Sequence, residues 1–128
     1  MSRIGGVRAM MGTPIVTLIA TAFTAFVPAG LAGQERADCA AALPQIIDAG
    51  WREYRSGRIS QAEATFTEAT ACDPGHTGAR MGLGYSALRQ GHGARARVIF
   101  ETILAEDDTQ VDALVGLGLL AWREGAVG

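Results

Sequence analysis

Sliding the chain along itself by 34 residues brings Gly50, Gly84 and Gly118 into line, then Gly57, Gly91 and Gly125. Ala62 falls on Ala96 and Phe66 on Phe100. Arg55, Arg89 and Arg123 coincide too, as do the bulky Tyr54, Leu88 and Trp122, so the register does not rest on abundant glycine. A period of this length marks supersecondary units that cannot bury an apolar face alone and stack in order to do so. Stacked units are binding scaffolds more often than enzymes.

No stretch alternates with period two for long enough to make a strand, so the chain reads as all-α. Residues 33–38 are polar and read as a mobile lead-in. Pro44 belongs in a first helical turn rather than an interior, so the first main helix is expected to start at Leu43 or Pro44 and run to Ser56, with Gly57 as its stop. Ser60 and Glu63 have capping-box spacing, which sets a second helix over Gln61–Ala71, ended by Asp73-Pro74-Gly75. One period on, a third helix runs to Gln90 and a fourth spans Ala94–Ala105. A fifth covers Val111–Glu124.

The first 32 residues read as an export signal. Arg3 and Arg8 precede an uncharged, mostly apolar run from Pro14 to Val27, and small residues follow at Gly30 and Ala32, with cleavage expected after Ala32. The alternative is an uncleaved inner-membrane anchor over Met10–Ala32, for which the early threonines and prolines are unfavourable. Gln34 stands where a lipidated cysteine would have to be. Removal of the leader leaves nine arginines, no lysine and thirteen acidic residues, a net charge of −4. Such a chain lacks the basic stripe that a nucleic-acid partner requires. Export would place the chain in the periplasm or outside the cell, where Cys39 and Cys72 tend to pair.

The in-phase residues resemble the tetratricopeptide repeat, a helix-turn-helix unit of 34 residues. Gly50, Ala62, Phe66, Ala69 and Pro74 occupy the family's small, aromatic and closing positions in one unit, and Gly84, Ala96 and Phe100 do so in the next. The resemblance implies a short right-handed solenoid over residues 43–128: repeats at 43–76 and 77–110, and a half repeat or cap helix at 111–125, after a leader (1–32) and lead-in (33–42). Several positions depart from the pattern. Ile103 replaces a small residue, Asp108 the closing proline, and Gly93 a tyrosine. Arg80 replaces a large apolar residue and Glu53 another tyrosine, so the second unit is expected to pack less tightly than the first. The fifth helix is apolar nearly all round, whereas a cap shows a polar outer face.

Antiparallel packing about a hinge at Gly57-Arg58 reflects Cys72 onto Leu43, one turn from Cys39, which places the pair within disulfide reach. Two free buried thiols are the alternative. The family's concave groove, carried onto this chain, is lined by Ile47, Trp51, Tyr54 and Arg55, then Met81, Tyr85, Leu88 and Arg89, then Val115, Leu119, Trp122 and Arg123. Aromatics and arginines are the residue types favoured at binding hot spots. The same residues also suit an inter-repeat core with solvated arginines. Trp51 stands where the family's clamp for peptide carboxylates has asparagine, although the arginine row can pair with acidic groups.

Other chemistry finds little support. Gly82–Ala87 and Gly116–Ala121 match a dinucleotide fingerprint in spacing, but both fall inside expected helices at one repeat phase and follow no strand. His76 and His92 lack partners at zinc spacing, and no nucleophile elbow occurs. No catalytic, cofactor or metal residue is therefore assigned. The expected function is a non-catalytic scaffold of the bacterial cell envelope that binds a protein or peptide, with contact to an envelope assembly or self-association through the helix at 111–124 as further expectations. The alternative is the front of a longer envelope-assembly or exopolysaccharide-export protein whose repeats precede an outer-membrane β-barrel.

Overall fold

The computed structural model describes residues 29–125, so residues 1–28 of the expected leader (1–32) and the last three residues lie outside the described part. Among the described residues there are five helices and no strand: α1 (Ala29–Arg55), α2 (Ile59–Cys72), α3 (Thr77–Arg89), α4 (Gly93–Glu106) and α5 (Val111–Arg123). Each packs on the next in the chain, and the odd-numbered helices also touch, α1 against α3 and α3 against α5. None of the described helices is long and apolar enough to cross a membrane.

The turns repeat with the period. At Gly57 (φ 83°) and Gly91 (φ 82°) the backbone enters the left-handed region, which costs least without a side chain. Gly57 N–H then donates to the Tyr54 carbonyl and Arg58 N–H to Glu53. Gly91 to Leu88 and His92 to Ala87 repeat this Schellman closure, which satisfies the last carbonyls of α1 and α3. The even helices end differently. Asp73 accepts from Gly75 N–H and Asp107 from Thr109 N–H, both at 3.0 Å, through the same side-chain oxygen one period apart.

Each buried phenylalanine fills the space between two odd helices. Phe66 of α2 lies against Gly50 of α1 and Gly82 of α3, and Phe100 of α4 lies against Gly84 of α3 and Gly116 of α5. A Cβ built on Gly84 would stand 2.6 Å from the Phe100 ring, and one on Gly116 2.5 Å away. Gly82, Gly84 and Gly116 of the two fingerprint matches thus serve close helix packing inside α3 and α5.

Two expectations about helix ends are overturned. The lead-in at 33–42 is helical, because α1 begins at Ala29 and passes straight through Pro44. A proline interior to a helix costs about 3 kcal/mol for the missing hydrogen bond and ring clash. Here Pro44 and Ala40 are both exposed, so the orphaned carbonyl faces water, and a disulfide from Cys39 to Cys72, Cα atoms 5.6 Å apart, fastens the upstream turns to α2. The capping box does not form either. Arg58 is the N-cap of α2 and makes no side-chain capping bond, its Nε donating instead to Ser56 Oγ, and Ser60 lies inside the helix.

The departures from the family pattern find a place in the core or a polar partner, Ile103 and Arg80 in the second unit and Glu53 in the first. Ile103 is fully buried with Phe100, Met81, Leu88 and Leu120 in the larger core cluster. Arg80 stands where an apolar side chain was expected and donates to the Glu106 carboxylate at 2.9 Å from Nη1. Glu53 accepts from Thr65 Oγ1 at 2.7 Å, tying α1 to α2.

Candidate functional site

The odd helices bring together one compact group from the expected groove. Trp51 stands edge-on to Phe66 (5.0 Å between centroids), Tyr54 (5.6 Å) and Tyr85 (6.2 Å). Tyr54 meets Tyr85 at 6.3 Å, and Tyr85 meets Phe100 at 5.2 Å. The aromatic face across α1 and α3 is therefore continuous with the inter-unit core, and Trp51, Tyr54 and Tyr85 are each half-buried. Such edge-to-face pairs contribute about 0.5–1.5 kcal/mol each beyond their burial.

Arginine caps this group. The Arg89 guanidinium lies 5.1 Å over the Tyr54 ring, leaving its donors toward solvent, and Arg55 is exposed beside it. Tyr85 donates through its hydroxyl to the Asp112 carbonyl at 2.8 Å, which pins the start of α5, and burial pushes its phenol up from the ordinary value. Arg123 is exposed but tied back to α3, since Nη1 donates to the Leu88 carbonyl.

The remaining expected groove residues divide. Met81 and Leu88 are buried core, not groove: α3 is flanked by helices on both sides, and these positions point into the packing between them. Ile47 packs against the smaller cluster of Leu43, Ala69 and Ala79. Val115, Leu119 and Trp122 are exposed, but they form a separate stripe along α5 with Val111 and Leu114.

Sequence reasoning missed the polar ties between units. Glu63, expected to cap α2, instead accepts from Gln90 Nε2 at 2.6 Å and from Arg95. The Gln90 bond does most to hold its carboxyl below the ordinary range, against the opposing effect of burial, and Arg95 adds to it. One period later Arg97 donates to Glu124 at 2.5 Å, with the two residues again 27 apart. That shared spacing of Glu63 with Gln90 and Arg97 with Glu124 was the available signal. His76 caps α3, its Nδ1 accepting from Ala79 N–H at 3.3 Å. On the even-helix side a cleft with mainly apolar lining opens among Pro74, Leu83, Val98 and Ile99.

What this arrangement offers is an aromatic floor with an unspent guanidinium at its edge, suited to an apolar or aromatic side chain beside an acidic group. A family model of the tetratricopeptide repeat matches residues 53–118. No curated protein matches the chain.

Proposed function

Because the chain belongs to the tetratricopeptide repeat family, whose units typically act as non-catalytic protein-binding scaffolds, we propose that it is a scaffold of the bacterial cell envelope. It holds a protein or peptide segment on the Trp51, Tyr54, Tyr85 and Arg89 face. The observation that carries this reading is Arg89 lying over Tyr54 with its donors free, beside an aromatic group rigid enough to bind without large ordering cost. The envelope location is supported by the export pattern before Gly33 and by the Cys39–Cys72 disulfide, which persists in oxidising compartments.

A photo-crosslinking residue placed at Arg89 of the exported protein tests this. A discrete adduct is expected from that position and none from Val98, on the even-helix side. Equal labelling from both positions, or none from Arg89, would remove the assignment. Intact mass of the exported chain tests the location, the expected product lacking residues 1–32.

A second reading, the front of a longer envelope-assembly or exopolysaccharide-export protein, is favoured by the uncovered stripe on α5. Sequencing the transcript beyond the Gly128 codon separates the two.

A further inference from the structure

Positions related by the 34-residue period should have related surroundings, and α5 departs from this in one direction only. Met81 is 4% exposed and its counterpart Val115 is 48%; Leu88 is 3% exposed and its counterpart Trp122 is 70%. The sharpest case is Gly118. Cβ atoms built on Gly50 and Gly84 would stand 2.7 Å from Phe66 and 2.6 Å from Phe100, whereas one built on Gly118 meets nothing within 4 Å among the described residues. The two earlier glycines are seats for a ring, and the third is the same seat left open.

We infer that the Val115, Gly118 and Trp122 face of α5 is a docking seat for an amphipathic helix of a partner protein carrying alanine four residues before phenylalanine. The occupant's chemistry follows from the interface this face continues. On α1 and α3 the equivalent surface is covered by α2 and α4, which present Ala62 with Phe66 and Ala96 with Phe100, all fully buried. Alanine at that spacing allows backbone approach beside the ring, and a small or aliphatic residue three places further on, Ala69 or Ile103, completes the buried edge. A second copy of the chain without its expected leader is a poor occupant, since both of its rings are already enclosed in its own fold.

The probe is a hydrocarbon-stapled, fluorescent peptide copying Ile59–Cys72 with Cys72→Ala, titrated with the purified chain and read by anisotropy. Saturable binding is expected. Phe66→Ala in the peptide and Gly118→Val in the chain should each weaken it about tenfold or more, because one removes the ring and the other fills its seat. Gly118→Val adds no collision within the chain itself, so circular dichroism and melting should show it folded. Glu101→Gln, exposed on α4 and outside both faces, should leave peptide binding unchanged. Absence of saturable binding, or binding indifferent to Phe66→Ala or Gly118→Val, overturns the inference. So does concentration-dependent self-association abolished by Gly118→Val, which would assign the seat to a second copy.

Discussion

Glu106 accepts from Arg80 one repeat period beyond Cys72, which is covalently joined to Cys39. The C-terminal end of the even helix is thus fastened to its odd partner in both units, by a disulfide in the first and by a two-pronged ion pair in the second. The pair raises the Arg80 pKa and lowers that of Glu106, each chiefly through their mutual hydrogen bonds. Glu106→Ala would leave a largely buried guanidinium without its anion, which is worse than removing both groups. We expect Glu106→Ala to melt lower than the Arg80→Leu/Glu106→Ala double variant, read by thermal denaturation; the reverse order would make the ion pair incidental.

Acid should act on the same feature. The carboxyls of Glu63, Glu106 and Asp107 all sit below their ordinary values of 4.5, 4.5 and 3.8, so the unfolded chain binds their protons more tightly than the folded one. Their stabilisation is complete above those ordinary values and is lost as pH falls through the lower folded values. Urea midpoints should therefore hold steady from neutrality to about pH 5 and drop toward pH 3. Glu63→Gln should flatten part of that drop.

The two glycine environments predict opposite responses to one methyl group. Gly84→Ala drives a Cβ into the Phe100 ring and should destabilise by about 1–3 kcal/mol, even after the gain in helix propensity. Gly118→Ala meets nothing and should stabilise by up to about 1 kcal/mol. Chemical denaturation of the two variants checks the signs directly.

Reducing the Cys39–Cys72 bond reopens a loop of 33-residue separation, and the chain-entropy account assigns about 3–4 kcal/mol to its closure. Unfolding midpoints with and without reductant should differ accordingly. The turns upstream of Pro44 should lose amide protection first, since among the described residues only the packing of Leu43 on Ala69 otherwise holds them to α2.

The helix pairs, the turn glycines and the cysteine pairing were readable because each depends on spacing that recurs or reflects about a hinge. What escaped depended on distant partners. Pro44 looks like a helix start when judged by its neighbours, yet the bond from Cys39 holds helix on both sides of it. Glu63 has capping-box spacing, but Gln90 and Arg95 of the next unit compete for its carboxylate and win. Met81 and Leu88 occupy groove positions by phase, and only the flanking helices turn those positions into core. Within the expected binding face, residue type marked out Trp51, Tyr54, Tyr85 and Arg89, but could not reveal that Arg123 is committed to the Leu88 carbonyl.

Phe66 and Phe100 each belong to two units at once, since each ring is walled by glycine backbones from two successive odd helices. Neither unit can open without stripping a wall from a ring its neighbour depends on. The consequence is energetic coupling along the array: α1 to α5 should exchange amide hydrogens with similar free energies in place of fraying inward from one end. A unit lifted from this chain and grafted elsewhere would carry half of a contact. The glycine that accepts the ring has to travel with it, and it lies in the following unit.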